Sequence, residues 1–308
     1  MAEKDLTSKS LESKADVFAD IYNGLMHFTD EATRIDPEKL VDLPTESFYY
    51  DADDNIRNLY QDVFKRYGNQ HFALACLGLE NEAVVERLMP VRILGYVFAN
   101  YKRQADDYNQ HRKHLLKSKK DADTDEERAV IDKALARLEP FYLVPVIILV
   151  LNFSGKDWNE PISLNGLVRD DNPYKNDMVD HVIKVVNIHS LTPEDCKVFT
   201  SDFGPLVNFL NSKTRSFEGM EQKLDHPLEV LDMLNAYKGI DNYRKVRDNI
   251  LMSSMKGVTI SMGTLLDEMM DETKKNIAIN LLEKGKMTYE EIAECTGLTV
   301  AEVEELDG

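Results

Sequence analysis

Three carboxylates on two neighbouring segments, Asp62, Glu80 and Glu82, have the types and spacing to hold a hard metal ion. Glu80 ends the run FALACLGLE (72–80), which is almost wholly apolar, as a strand buried on both faces would be. Glu80 and Glu82 share parity, so a continuous strand turns both to the same side. Asp62 lies on the preceding extended segment, Leu59 to Tyr67. To stand opposite Glu80 in an antiparallel hairpin, paired positions must sum to about 142, which sets Gly68 against Leu74 across a loop of about five residues. A tight turn at Gly68-Asn69 would instead bring Asp62 near Ala75 and take the cluster apart. A carboxylate ending an apolar strand is also often a plain strand terminus. Carboxylates that converge at a sheet edge suit Mg²⁺ or Mn²⁺, which take oxygen ligands and keep several waters. Such an ion can activate a water, orient a phosphodiester and neutralise charge developing on it.

A packed helix could add a ligand. Lys14 to Phe28 reads as amphipathic: Val17, Phe18, Ile21 and Leu25 form an apolar stripe, and Asp16, Asp20, Asn23 and His27 fall on another face. Strands are expected at Ser47–Tyr50, Leu59–Tyr67, Phe72–Glu80, Phe141–Phe153 and His181–His189. Pro145 marks the fourth as an edge or an irregular start. Residues 91–139 read as a long helical hairpin with an acidic break at Asp121–Glu127, and Pro193–Leu210 as one helix capped by Thr192. From Leu224 onward the pattern is helical, with breaks near Gly239, Gly257 and Gly285. The fold class is therefore α/β over residues 10–215, with the hairpin at about 91–139 as an insertion, followed by a helical region at 224–308.

Composition removes several classes of function. The chain has 308 residues, 37 Lys+Arg against 55 Asp+Glu, and a net charge of −18, which excludes a uniformly basic nucleic-acid coat. Charge is uneven: residues 1–62 carry 6 basic and 15 acidic side chains, whereas residues 91–120 carry eight basic and two acidic ones. That basic segment, with Lys102, Arg103, Arg112 and Lys113, is the one able to attract a polyanion, although a solvated helix has the same composition. Three scattered cysteines, Cys76, Cys196 and Cys295, fit a reducing cytoplasm better than a disulfide scaffold. The opening residues are polar and the longest apolar run is far short of the ~20 residues that span a bilayer, so a cytoplasmic protein without a membrane segment is expected. No GxGxxG, Walker A or GxSxG motif is present.

Several strings together resemble the PD-(D/E)XK nuclease superfamily, and within it the recombination-promoting nuclease and putative transposase family. They are KADVFADIYN (14–23), YQDVFK (60–65), ALACLGLENE (73–82), MPVRILGYVFANYKRQ (89–104), VIILVLNF (146–153) with KDWNEPISL (156–164), LTPEDCKVFTSDF (191–203) and LLEKGKMTYEEIAECTGLTVAEVEEL (281–306). The resemblance spans almost the whole chain in the family's order. It implies a restriction-endonuclease-like mixed sheet flanked by helices and a Mg- or Mn-dependent cleavage of double-stranded DNA linked to recombination or mobile elements. It also implies Asp62 and Glu80 as metal ligands, with Asp20 and Gln104 as helix contributions. Two active sites are usual for cutting both strands, so a homodimer is expected. This sequence departs from the superfamily at the third motif position, where Glu82 stands in place of lysine or glutamine, and at Val97, where the family has aspartate. Lys65, Lys102 or Arg103 are the expected sources of the missing positive charge. Besides a nuclease, these departures leave open a catalytically silent DNA- or protein-binding module, and a defence or toxin effector.

The tail adds a helix-turn-helix pattern over Thr288 to Leu306, with Ile292, Ala293, Leu298 and Val303 as its small core. Its second helix carries Glu302, Glu304, Glu305 and Asp307 and no Lys or Arg, so packing or self-association is expected of it rather than DNA reading.

Overall fold

The computed structural model describes residues 9–27, 30–31, 33–50, 56–60, 62–68, 73–212, 219–240 and 242–307. The contacts divide the chain into two units, residues 36–187 and residues 1–35 with 188–308. The division falls at 35/36 and 187/188 rather than near residue 215, because the opening helix packs with the segment that follows the sheet.

The first unit is built on a five-stranded mixed sheet in the order β1-β4-β5-β6-β7. Its strands are β1 (Leu40–Asp42), β4 (Val63–Gly68), β5 (Ala73–Glu82), β6 (Val146–Asn152) and β7 (Lys184–Asn187). β2 (Glu46–Tyr50) and β3 (Ile56–Tyr60) form a separate antiparallel pair. The expected strand Leu59–Tyr67 is thus divided between two strands in two sheets, β3 ending at Tyr60 and β4 beginning at Val63. β4 and β5 are antiparallel, with Val63 opposite Leu79 through Tyr67 opposite Ala75. This is the register needed to set Asp62 opposite Glu80. At the hairpin end a bulge moves Gly68 to Ala73 rather than Leu74, and the loop beyond Gly68 lies outside the described residues.

β5 and β6 are parallel, so a crossover must join them. It is made by α1 (Met89–Asp121) and α2 (Asp125–Leu138). The expected hairpin is therefore the crossover itself. α1 buries only its first third: Met89, Ile93, Tyr96 and Val97 pack with Ile148, Val150 and Ile183. Beyond Asn100 its side chains are not buried, and α2 has none buried. Thr124 starts α2 with a capping box to Glu127. β6 begins only at Val146, because Pro145 has no N–H to give the ladder, although its carbonyl accepts from the Cys76 amide at 2.8 Å. β7 is short and passes at Ile188 into a 3₁₀ turn, so the strand expected over 181–189 covers four residues.

In the second unit α3 (Ala15–Leu25) buries Val17, Phe18, Ile21 and Tyr22. The helix expected over Pro193–Leu210 is two: α4 (Pro193–Cys196), capped by Thr192 as expected, and α5 (Phe203–Asn211). The tail holds α6 (Pro227–Lys238), α7 (Tyr243–Met255), α8 (Met262–Lys284), α9 (Tyr289–Thr296) and α10 (Val300–Asp307). Gly239, Gly257 and Gly285 mark the breaks with positive φ, a backbone conformation that residues with side chains rarely adopt. Ile292, Ala293 and Val303 pack with Ala278 of α8, with Leu298 beside them. No helix is long and apolar enough to cross a membrane, among the described residues.

Candidate functional site

The first unit brings Asp62 and Glu80 together at the C-terminal end of β5. Extending the β4–β5 register by one residue sets them opposite each other on one face. The Asn81 amide donates to Asp62 Oδ2 at 2.7 Å, which fixes the aspartate against the strand. Glu80 is 4% exposed. Its Oε1 accepts from the Tyr96 hydroxyl at 3.1 Å and lies 2.9 Å from Arg92 Nη2, while its Oε2 is buried with no hydrogen-bond partner among the described residues. Burial, and then the charge of Asp62, push the Glu80 carboxyl up to about 7, against the pull of Arg92 and Tyr96. Burial, and then the Glu80 charge, push the Tyr96 phenol upward, so at neutral pH it is a hydrogen-bond donor rather than a base.

Glu82 lies on the same face as Glu80, as its parity requires, and pairs with the same Arg92. The parallel register continues the row: Glu82 is beside Asn152, and Asn152 beside Asn187. Asn152 donates to the Lys156 carbonyl at 2.7 Å and to Asn187 Oδ1 at 2.8 Å, which holds the loop after β6. The C-terminal ends of adjacent parallel strands are the usual place for a ligand site in such sheets.

The other site residues expected from sequence are placed elsewhere. Asp20 belongs to the second unit, where it is 6% exposed and accepts four hydrogen bonds from Thr200 and Ser201. Asp16 and Asn23 of that polar stripe are also engaged: Asp16 pairs with His226, and Asn23 exchanges two bonds with the Ile35 backbone. Gln104 clasps the Val144 backbone, donating to its carbonyl at 3.0 Å and accepting from its amide at 2.8 Å. It therefore steers the chain into β6. Lys65 is not the missing cation of the site, because it faces the opposite side of the sheet, 3% exposed, and pairs with Asp42. Lys102 pairs with Asp106, and Arg103 reaches the Glu46 carbonyl at 3.4 Å. The cation present is Arg92, which the sequence marks only as part of the basic segment. Arg92 and Tyr96 are four residues apart just after the acidic strand, so they share the helix face that meets Glu80. That spacing was the available signal.

The basic segment is partly neutralised by its own hairpin. Arg112 pairs with Glu139 and Lys119 with Asp132. Lys113, Lys117 and Lys120 make no ion pair among the described residues, and their i, i+4, i+7 spacing puts them on one face of α1. If this face meets duplex DNA, as expected of the basic segment, changing these three to glutamate is expected to weaken binding to a random duplex at least tenfold. It should also flatten the log–log salt dependence by about one unit for each phosphate no longer neutralised. Reversing Lys102 and Arg112 is expected to do less, because each is already balanced by a carboxylate. A salt titration of fluorescent duplex would decide, and an unchanged slope in the triple variant would take this face out of the interface.

No protein-family model matches the chain, and no curated protein and no solved structure matches it. Among the described residues, no group of three or more His, Cys, Asp and Glu side chains is placed to hold a metal ion. The donor set at Asp62 and Glu80 nevertheless suits a hard cation: the donors are carboxylate oxygens, and one of them, Glu80 Oε2, is buried and unpartnered.

Proposed function

We propose that this protein is a divalent-metal-dependent DNA endonuclease with a restriction-endonuclease-like fold, of the PD-(D/E)XK kind. The observation that carries the reading is the buried, unpartnered Glu80 Oε2 beside Asp62 on one face of β5. A carboxylate oxygen left bare in a buried place costs free energy unless something else occupies it in use. Asp62 and Glu80 would hold Mg²⁺ or Mn²⁺, which when bound supplies Lewis acidity and a more acidic water.

The remaining roles belong to the chain itself. The Asn81 amide orients Asp62, and the Tyr96 hydroxyl orients Glu80. Met89, Ile93 and Val97 set the rotation of α1 over β6, so that Arg92 and Tyr96 face the strand end. Lys113, Lys117 and Lys120 lie farther along α1, which at 33 residues is about 50 Å long. They would meet phosphates away from the cut. The sequence resemblance adds recombination or mobile elements as the setting, a reading that stands on those motifs alone.

The second reading is a silent DNA-binding module, favoured by the carboxylate at Glu82. Incubation of supercoiled plasmid with Mg²⁺ or Mn²⁺, with EDTA as control, separates the two. Wild type is expected to nick or linearise the plasmid and Glu80→Ala to be inactive. Wild-type protein that binds duplex but cuts with neither ion would leave the silent module.

A further inference from the structure

We infer that Arg92 is the fixed cation of this site and supplies from α1 the positive charge that the strand motif lacks at Glu82. The inference rests on the nuclease reading and adds a residue to it. One Arg92 guanidinium meets three carboxylates: Nη2 lies 2.9 Å from Glu80 Oε1 and pairs with Glu82, and Nη1 lies 2.8 Å from Glu86 Oε2. A guanidinium is always charged and presents its donors in a rigid fork, so it can bridge carboxylates that a lysine could only approach as a point charge. Its reach is set by packing, since Met89, Ile93, Tyr96 and Val97 around it are buried against the sheet.

The contacts assign unequal roles to the two oxygens of Glu80. Oε1 is held by Arg92 and Tyr96, and Oε2 is left in a buried place without a hydrogen-bond partner among the described residues. Arg92 therefore fixes the rotamer of Glu80 by one oxygen and leaves the other for a cation. Glu82 becomes the counter-anion that holds Arg92, and the Glu82–Arg92 pair takes the place of a single motif lysine. Without it, Asp62, Glu80, Glu82 and Glu86 would present uncompensated negative charge to an approaching phosphodiester. Arg92 is a positioning residue on this account.

The test compares full-length wild type, Arg92→Gln, Arg92→Lys and the double variant Glu82→Lys/Arg92→Gln. It measures single-turnover cleavage of a labelled linear duplex with Mn²⁺, Mn²⁺ binding by calorimetry, and melting in EDTA. Arg92→Gln is expected to cut on the order of tenfold to a thousandfold more slowly, by analogy with loss of one electrostatic group. It should bind Mn²⁺ at least as tightly as wild type, because a neighbouring positive charge is gone. Arg92→Lys keeps the charge but loses the fork, so it should cut more slowly than wild type and faster than Arg92→Gln, and the double variant should regain at least tenfold over Arg92→Gln. A folded Arg92→Gln protein that cuts at the wild-type rate overturns the assignment and leaves the nuclease reading standing. So does a double variant no faster than Arg92→Gln. If Arg92→Gln does not fold, the double variant decides: cutting within tenfold of wild type supports the assignment, and inactivity of the folded protein overturns it. Wild type that binds Mn²⁺ yet never cuts removes the nuclease reading and the assignment with it.

Discussion

Glu80→Gln is expected to stabilise the metal-free protein above neutral pH and to abolish both Mn²⁺ binding and cleavage. The Glu80 carboxyl is raised from 4.5 to about 7, chiefly by burial and next by the charge of Asp62. The native state therefore holds this proton more tightly than the unfolded chain does. The stability it contributes is fully present below about pH 4.5 and is lost as pH rises through about 7. The loss is on the order of 3 kcal/mol. Glutamine keeps the shape and cannot ionise, so the variant should escape that loss. The difference in stability, variant minus wild type, should be small at pH 5 and grow to a few kcal/mol by pH 8. Groups that titrate in this range without interacting with Glu80 cancel in the difference.

Mn²⁺ should reverse the order. A bound cation needs the ionised carboxylate, so wild-type affinity should rise with pH up to about 7 and level off above it, with uptake of the ion releasing a proton below that point. Wild type should then melt higher with Mn²⁺, and Glu80→Gln should not move. Urea melts at pH 5 and 8, with EDTA or Mn²⁺, measure all four corners. Parallel pH profiles for the two proteins would show that Glu80 carries no such penalty, and equal stabilisation of both by Mn²⁺ would place the ion elsewhere.

Asp20→Ala is expected to destabilise the fold by about 3–5 kcal/mol while leaving Mn²⁺ affinity within about twofold of wild type. The Asp20 carboxylate accepts the Thr200 amide at 2.8 Å, the Thr200 hydroxyl at 3.1 Å, the Ser201 amide at 2.8 Å and the Ser201 hydroxyl at 2.7 Å. Bonds to a charged acceptor are each worth about 1.5–3 kcal/mol, and removing the acceptor takes the partner from two half-buried backbone donors. The segment it holds is the break between α4 and α5, next to Phe199 and Phe203, which stack edge to face with centroids 5.0 Å apart. Gly24, one turn further along α3, already meets Phe199 closely enough that a Cβ there would collide with its ring. Loss of the carboxylate should therefore loosen the whole contact of α3 with this segment. Asp20→Asn, which keeps one acceptor oxygen, should cost less than half as much. A folded Asp20→Ala protein that has lost its Mn²⁺ would restore Asp20 to the metal set implied by the resemblance.

These two residues mark where sequence suffices and where it stops. The hairpin β4–β5 and its register were legible because side-chain parity and loop length leave few ways to set Asp62 against Glu80. So was the buried character of β5, whose apolar run needs cover on both faces. The helix breaks at Gly239, Gly257 and Gly285, the Thr192 cap and the small core around Ile292 and Val303 were legible too, because each depends on neighbours within a turn or two. Each is a local constraint, and local constraints are written in consecutive residues.

Tertiary structure decided the rest. Gly204-Pro205 already argues locally against one helix over Pro193–Leu210, but the conformation of the break at Thr200 and Ser201 is held by Asp20, about 180 residues earlier. The polar stripe of α3 looks like a ligand face, but Asp20 holds the amides and hydroxyls of Thr200 and Ser201, Asn23 the Ile35 backbone and Asp16 the His226 ring. Gln104 matched a motif position, yet its amide is paired with the Val144 backbone, 40 residues on. Of Lys65, Lys102 and Arg103, the expected sources of the missing charge, Lys65 is put by strand parity through the sheet to Asp42, Lys102 pairs with Asp106 and Arg103 reaches the Glu46 carbonyl. Arg92 took their place because α1 packs across β6 with one rotation, fixed by Met89, Ile93 and Val97. Which charges meet is a property of that packing, and no spacing within the strand motif contains it.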